Sequence, residues 1–128
     1  MNESNLETNR ALVTKVLKTV FVDRDTSMLA SYFSSDYIQH NPAIPNGSES
    51  IPPMVEALPD GFRYEMGMVV AQGDLVMAHG RYTGWGPNPM VAVDIFRIAN
   101  GKLAEHWDVM QEEVPASATA SGNPMFAP

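Results

Sequence analysis

The sequence predicts a single α+β domain in which helices come first and an antiparallel strand meander follows. Three observations carry this. Apolar residues near the N-terminus recur on a helical stripe. From residue 62 onward the pattern becomes strand-length runs separated by turn residues. Asn100-Gly101 stands between the last two runs. An Asn-Gly pair between apolar strands is a strong hairpin signal, because both central residues of the tight turn need positive φ. At 128 residues the chain fits one domain and can bury about two-thirds of its unfolded surface, so it needs no disulfide or metal staple.

The first helix is predicted over Leu6 to Phe21. Leu6, Ala11, Leu12, Val13, Val16, Leu17, Val20 and Phe21 form its apolar stripe, with Arg10, Lys15 and Lys18 away from it. Asp25-Thr26 caps a second helix, Ser27 to Phe33, whose face is Met28, Leu29, Tyr32 and Phe33. A short strand follows from Ser35 to His40 and ends at Asn41-Pro42. Ser50 caps a third helix that carries Pro52 and Pro53 in its first turn and runs to about Leu58. Then come four strands: Phe62 to Gln72, Leu75 to Trp85, Met90 to Ala99 and Lys102 to Gln111. Gly73-Asp74, Gly86-Pro87-Asn88-Pro89 and Asn100-Gly101 separate them. The domain is expected to end at residue 114. Residues 115–128, rich in Ala, Ser, Gly and Pro, are expected to form a tail, extended over the domain or disordered, with Met125 and Phe126 as anchors.

Composition excludes several function classes. With no cysteine there is no disulfide framework, thiolate zinc site or cysteine nucleophile. A net charge of −7 argues against a phosphate-backbone binder, so no nucleic-acid partner is expected. The start has neither a basic nor an apolar leader pattern, and the longest uncharged apolar stretch, Met66 to Gln72, is too short to span a bilayer. A cytoplasmic protein without a membrane partner is expected. No phosphate loop, nucleophile elbow or His-Glu-x-x-His helix occurs. The histidines and aspartates show no diagnostic ligand spacing, and no metal is expected. Met54, Met66, Met68, Met77, Met90 and Met110 fall in or beside predicted elements, where thioethers fill core gaps or line an adaptable cavity.

The remaining chemistry rests on His and Asp. Strand side chains alternate between faces. Asp94 shares a face with Ala92, Phe96 and Ile98, and the opposite face carries Val91, Val93, Ile95 and Arg97. A carboxylate in so apolar a strand is either bonded to a neighbouring Trp or Tyr or functional. His106 and Asp108 share a face with Ala104 and Met110, where an i, i+2 pair can act as an acid–base unit or be a surface pair. His79 shares a face with Leu75, Met77 and Arg81, and His40 ends the first strand. The hairpin count sets Asp94 opposite Trp107 and Val93 opposite Asp108. Asp94 and Asp108 then lie on opposite faces unless a β-bulge intervenes.

Three segments carry a family resemblance: Tyr37-Ile38-Gln39-His40-Asn41-Pro42, Val93-Asp94-Ile95-Phe96-Arg97-Ile98, and Asn100-Gly101-Lys102-Leu103-Ala104-Glu105-His106-Trp107-Asp108-Val109. In order along the chain they resemble the SnoaL-like, polyketide-cyclase-like branch of the NTF2-like superfamily, described as predicted aldol-condensation enzymes. The ending Gly122-Asn123-Pro124-Met125-Phe126 is similar to that group as well. The resemblance implies a cone: a strongly curved antiparallel sheet around a deep pocket, closed by three N-terminal helices. It implies acid–base catalysis without a cofactor, with Asp108 as the matching aspartate and Asp94, His40 and His79 as further catalytic polar groups. Asn41, His106, Trp107, Tyr37 and Phe96 are then the substrate-binding residues. The implied ligand is a small apolar compound with a carbonyl, acted on by aldol, cyclase or isomerase-like proton transfer; the alternative is a small-molecule-binding protein without catalysis. The resemblance also implies a homodimer; the strand face carrying Val91, Val93 and Ile95 is too apolar to meet water alone, which is consistent with a buried sheet face.

Overall fold

The computed structural model describes residues 3–127. Helix α1 spans Glu3–Leu17 and ends in a π turn, Lys18–Val22. Four residues of the predicted stripe form its packed face, while Ala11 is exposed and Leu6, Leu12 and Phe21 are half-buried. Val13, Val16, Leu17 and Val20, spaced i, i+3, i+4 and i+7, are all fully buried. Each adds about 1.5–3 kcal/mol of apolar burial. They pack with Val76, Ala78, Tyr82, Phe96 and Leu103 in the core between the helices and the sheet.

The next two helices depart from their sequence signals. Helix α2 is only Leu29–Tyr32, and Phe33, expected to end it, opens strand β1 (Phe33–Gln39). Asp25 still organises the turn before it, since its Oδ1 accepts from the Ser27 backbone N–H at 2.9 Å and from the Ser27 hydroxyl at 2.6 Å. Helix α3 (Ile51–Glu56) tolerates Pro52 and Pro53 near its start. Ser50 does not cap it with its side chain. Residues Ser48–Ser50 form a 3-10 turn leading into the helix, and the Ser50 hydroxyl donates to the Gly47 carbonyl at 2.8 Å.

Strands β2 (Arg63–Gln72), β3 (Leu75–Thr83), β4 (Met90–Ala99) and β5 (Lys102–Glu112) form the antiparallel meander. The sheet order is β1-β5-β4-β3-β2. One expectation is corrected here: the sheet is mixed, because β1 runs parallel to β5. A meander leaves the outer edge of β5 with unpaired backbone groups, and β1 covers that edge. Its direction follows from where the helices deliver the chain, which no local pattern records. Asn100 and Gly101 both have positive φ (53° and 74°), as the two-residue turn requires.

The helices cover the concave face of the sheet. The segment after β5 crosses the other face. A 3-10 turn, Ala116–Ala118, is followed by bends that bring Phe126 down onto the sheet, where it is 3% exposed. Its ring centroid lies 5.4 Å from that of His79, and the Arg81 guanidinium lies 4.9 Å from it. Gly67 makes this approach possible, because a Cβ there would come 2.9 Å from Phe126 Cε1. Among the described residues no helix is long and apolar enough to cross a membrane.

Candidate active site

The site begins with a register shift. Ile98 pairs with Leu103 as the turn dictates, but Arg97 pairs with Glu105, so Ala104 is an extra residue in β5. Leu103 and Ala104 are both buried. Beyond this bulge every β5 side chain is displaced by one position relative to the unbulged count. Asp94 therefore stands directly opposite Asp108, and Phe96 opposite His106. Both carboxylates and the imidazole face the concave side.

There they form a connected network. Asp94 is 4% exposed and His106 5%. His106 Nε2 lies 2.8 Å from Asp94 Oδ1 and 3.8 Å from Asp108 Oδ2. The Tyr82 hydroxyl donates to Asp94 Oδ2 at 2.6 Å. Burial and then the Asp94 charge push the Tyr82 phenol well above its ordinary pKa, so it stays a donor. Burial first, and Asp94 second, also raise Tyr37 and Tyr64.

The end of β1 supplies the other side. Asn41 Oδ1 accepts the Ala43 backbone N–H at 2.8 Å, an Asx turn of the kind Asn-Pro favours. That contact fixes the amide, so Nδ2 is the end that donates to Asp108 Oδ2, at 2.6 Å. Among the described residues Asp108 Oδ1 has no hydrogen-bond partner. Gln39 Oε1 accepts the Asn41 backbone N–H at 3.0 Å and lies 2.7 Å from His106 Nδ1.

The network stands at the junction of two chambers. The deep one holds about 40 Å³ and is lined by Tyr37, Phe96, Asp94, His106, Leu17 of α1 and Phe21 of the π turn. That is room for roughly two or three waters, or the head of a ligand. The outer one holds about 720 Å³. Asp108, Ile44, Met54, Trp85 and Met110 line both. Trp85 is held by Phe62 and Tyr82, with ring centroids 6.0 and 5.3 Å away.

The structure thus brings together Asp94, Asp108, His106, Asn41, Tyr37 and Phe96, and it keeps three other expected site residues out. His79 points to the convex face against Phe126, because β3 turns Val76, Ala78, Gly80 and Tyr82 inward. His40 lies just past β1, exposed, with its ring stacked on Trp107 at 4.8 Å and Nε2 2.6 Å from Glu105 Oε2. Trp107 is outward because its neighbours His106 and Asp108 are inward. Tyr82, Gln39 and Trp85 were missed. Tyr82 had a signal: it alternates with Val76, Ala78 and Gly80, and a Tyr was an expected partner of Asp94. Gln39 had none beyond its place two residues before Asn41.

Asp94, His106 and Asp108 each offer one metal-ligand atom, all within 4.8 Å of one another. His106 Nε2 and Asp94 Oδ1 already face each other at hydrogen-bond distance. What the arrangement offers is one reachable carboxylate, one buried carboxylate–imidazole pair and protonated phenols in a largely apolar cavity.

Solved structures share this fold. The chain is similar to a candidate ketosteroid isomerase from Kribbella flavida, at 16% identity over 97% of this chain and 93% of that one, with a TM-score of 0.74. It is similar to IdmH, a candidate polyketide cyclase from Streptomyces antibioticus, at 17% identity over 79% and 91%, TM-score 0.59. It is also similar to an LEH-like epoxide hydrolase of M. tuberculosis, at 13% identity over 84% and 85%, TM-score 0.64. No curated protein matches the sequence. At such identities the likeness carries the fold, not the reaction. The family model described as the SnoaL-like domain matches residues 13–106, from the packed stripe of α1 to the buried histidine of β5, and by that match the chain belongs to the SnoaL-like family of the NTF2-like superfamily.

Proposed function

We propose that this protein is a cofactor-independent acid–base enzyme acting on a small apolar carbonyl compound, with Asp108 as the base. The observation that carries this is the division of labour between two facing carboxylates. Asp94 is buried with both oxygens engaged, by Tyr82 and His106. Asp108 lies where the chambers meet, anchored through one oxygen by Asn41. Its carboxylate takes a proton from the carbon α to the carbonyl. The C–H electron pair becomes the C=C bond, and the carbonyl oxygen gains the negative charge. Tyr37 and His106, in the deep chamber, are the hydrogen-bonding groups for that oxygen. The enolate then either attacks a second carbonyl, forming a C–C bond as in an aldol ring closure while the new alkoxide takes the proton back from Asp108, or, where a double bond is conjugated with it, is reprotonated by Asp108 at the far end of the dienolate. No Lys or Arg occurs among the residues lining either chamber, which suits a neutral ligand better than an anionic one.

The test is α-proton exchange in D2O, followed by NMR across a panel of ring and chain ketones. Wild type incorporates deuterium, and Asp108→Asn loses roughly 10²–10⁴-fold in rate. Ligands that bind without exchange across the panel overturn the enzyme and leave a binding protein. A homodimer through the convex face is part of the same proposal, supported by the exposure of Met68, Val70 and Val109. Light scattering at micromolar concentration that gives only monomer rejects it.

A further inference from the structure

Gln39 touches His106 and the backbone of Asn41, and its bonds decide where the His106 ring carries its protons. Its side-chain amide is oriented by a donor that cannot turn round. The backbone N–H of Asn41 can only donate, so the Gln39 atom 3.0 Å from it is the carbonyl oxygen Oε1. The same oxygen lies 2.7 Å from His106 Nδ1. Without a proton on Nδ1, its lone pair would point straight at a lone pair of that oxygen, two acceptors at hydrogen-bond distance. From this we infer that Gln39 is the positioning residue of the site, fixing His106 with a proton on Nδ1 in every charge state of the ring.

The consequence lies at the other nitrogen. With Nδ1 permanently protonated, Nε2 is the ring's one exchangeable position. It sits 2.8 Å from Asp94 Oδ1 and 3.8 Å from Asp108 Oδ2. Asp94 and His106 therefore share a single proton, held on Nε2 as an ion pair or on Oδ1 as a neutral pair. Tyr82 cannot take its place on Oδ1, since its hydroxyl donates to Oδ2. The site thus holds one free carboxylate, Asp108, and one shared proton beside it, which the pair can lend to an oxyanion and take back. A neutral ring with its proton on Nε2 would fill that position and leave no lone pair toward the carboxylates. The groups facing the ring are Asp94 on β4, Asp108 on β5 and Gln39 on β1, with the Phe96 ring tilted against it at a centroid distance of 4.8 Å. The catalytic meaning of this arrangement rests on the acid–base function proposed above; the proton position does not.

The experiment is long-range 1H–15N NMR of the histidine rings in the full chain, with His106 assigned by its loss in His106→Gln. In wild type Nδ1 shows a protonated signature throughout the pH range of the native fold, and only Nε2 changes. In Gln39→Met the acceptor is gone and the neutral ring carries its proton on Nε2. Gln39→Glu restores the acceptor and the proton on Nδ1. A wild-type neutral ring with its proton on Nε2 overturns the inference even if no variant folds, and so does a Gln39→Met ring that keeps Nδ1–H. In the exchange assay Gln39→Met lowers kcat about tenfold with KM unchanged, and Gln39→Glu recovers part of it. A wild type with Nδ1–H but no exchange activity overturns the proposed function and leaves this inference standing.

Discussion

Asp94 and Asp108 face each other directly across β4 and β5, although the Asn100-Gly101 turn counted alone sets Asp94 against Trp107. Ala104 makes the difference. Two acids on facing strands would repel if both were bare, and here they are separated in role. His106 and Tyr82 occupy Asp94, and Asn41 steadies Asp108.

Asp94 can be replaced in two ways with opposite results. Asp94→Asn keeps an oxygen for the Tyr82 hydroxyl and presents an amide N–H to the lone pair of a neutral His106 with Nδ1–H. It is expected to fold within about 1 kcal/mol of wild type. Asp94→Ala strands both the Tyr82 hydroxyl and the ring, and it is expected to lose about 2–5 kcal/mol. Urea unfolding midpoints of the two variants check this; equal losses reject the hydrogen-bond assignment.

Gly80 is where backbone meets ring. A Cβ there would sit 2.6 Å from Cε1 of Tyr64, whose ring centroid is 4.8 Å from that of Tyr82. Gly80→Ala is expected to cost about 1–3 kcal/mol through overpacking and to weaken the Tyr82–Asp94 bond behind it. Gly73, with nothing near its missing Cβ, is no match as a packing control because its φ is positive. Gly86 is open and is the better control.

The C-terminal segment is held by Phe126 between Gly67, His79 and Arg81. Phe126→Ala is expected to lower stability by about 3 kcal/mol, and Gly67→Ala to act in the same direction by pushing the ring out. Hydrogen exchange of residues 116–126 reads the release directly. Unchanged protection in both variants counts against Phe126 as the anchor.

Glu105 sets a pH dependence on the convex face. The His40 contact first, and the Arg97 bond second, hold its carboxyl below the ordinary 4.5. A carboxylate depressed in the folded state stabilises the fold above its unfolded pKa, and that contribution fades as pH falls through the folded value. The stability gap between wild type and Glu105→Gln should therefore be widest near neutral pH and close below about pH 4.5. Denaturant titrations at about pH 7 and about pH 3 measure the gap, and one that widens in acid contradicts the assignment.

Much of the fold was legible because its signals are local. The stripe Val13, Val16, Leu17, Val20 is a periodicity, and the hairpin at Asn100-Gly101 is a conformational demand of two residues. Strand alternation also placed Asp94 beside Phe96, and His106 beside Asp108. Which face of β3 turned inward was less legible, since Leu75 and Met77 on the His79 face are as apolar as Val76 and Ala78 on the other.

What the sequence determined by itself was the set of elements, their order and the pairs of residues that share a face. These depend on backbone propensity and on side-chain periods of 3.6 and 2. Tertiary structure alone decided that Ala104 bulges, that β1 lies parallel to β5, and that Gln39 and Asn41 meet His106 and Asp108. Each of those outcomes depends on residues distant in sequence closing a sheet edge and filling one cavity, and no local period records such a constraint.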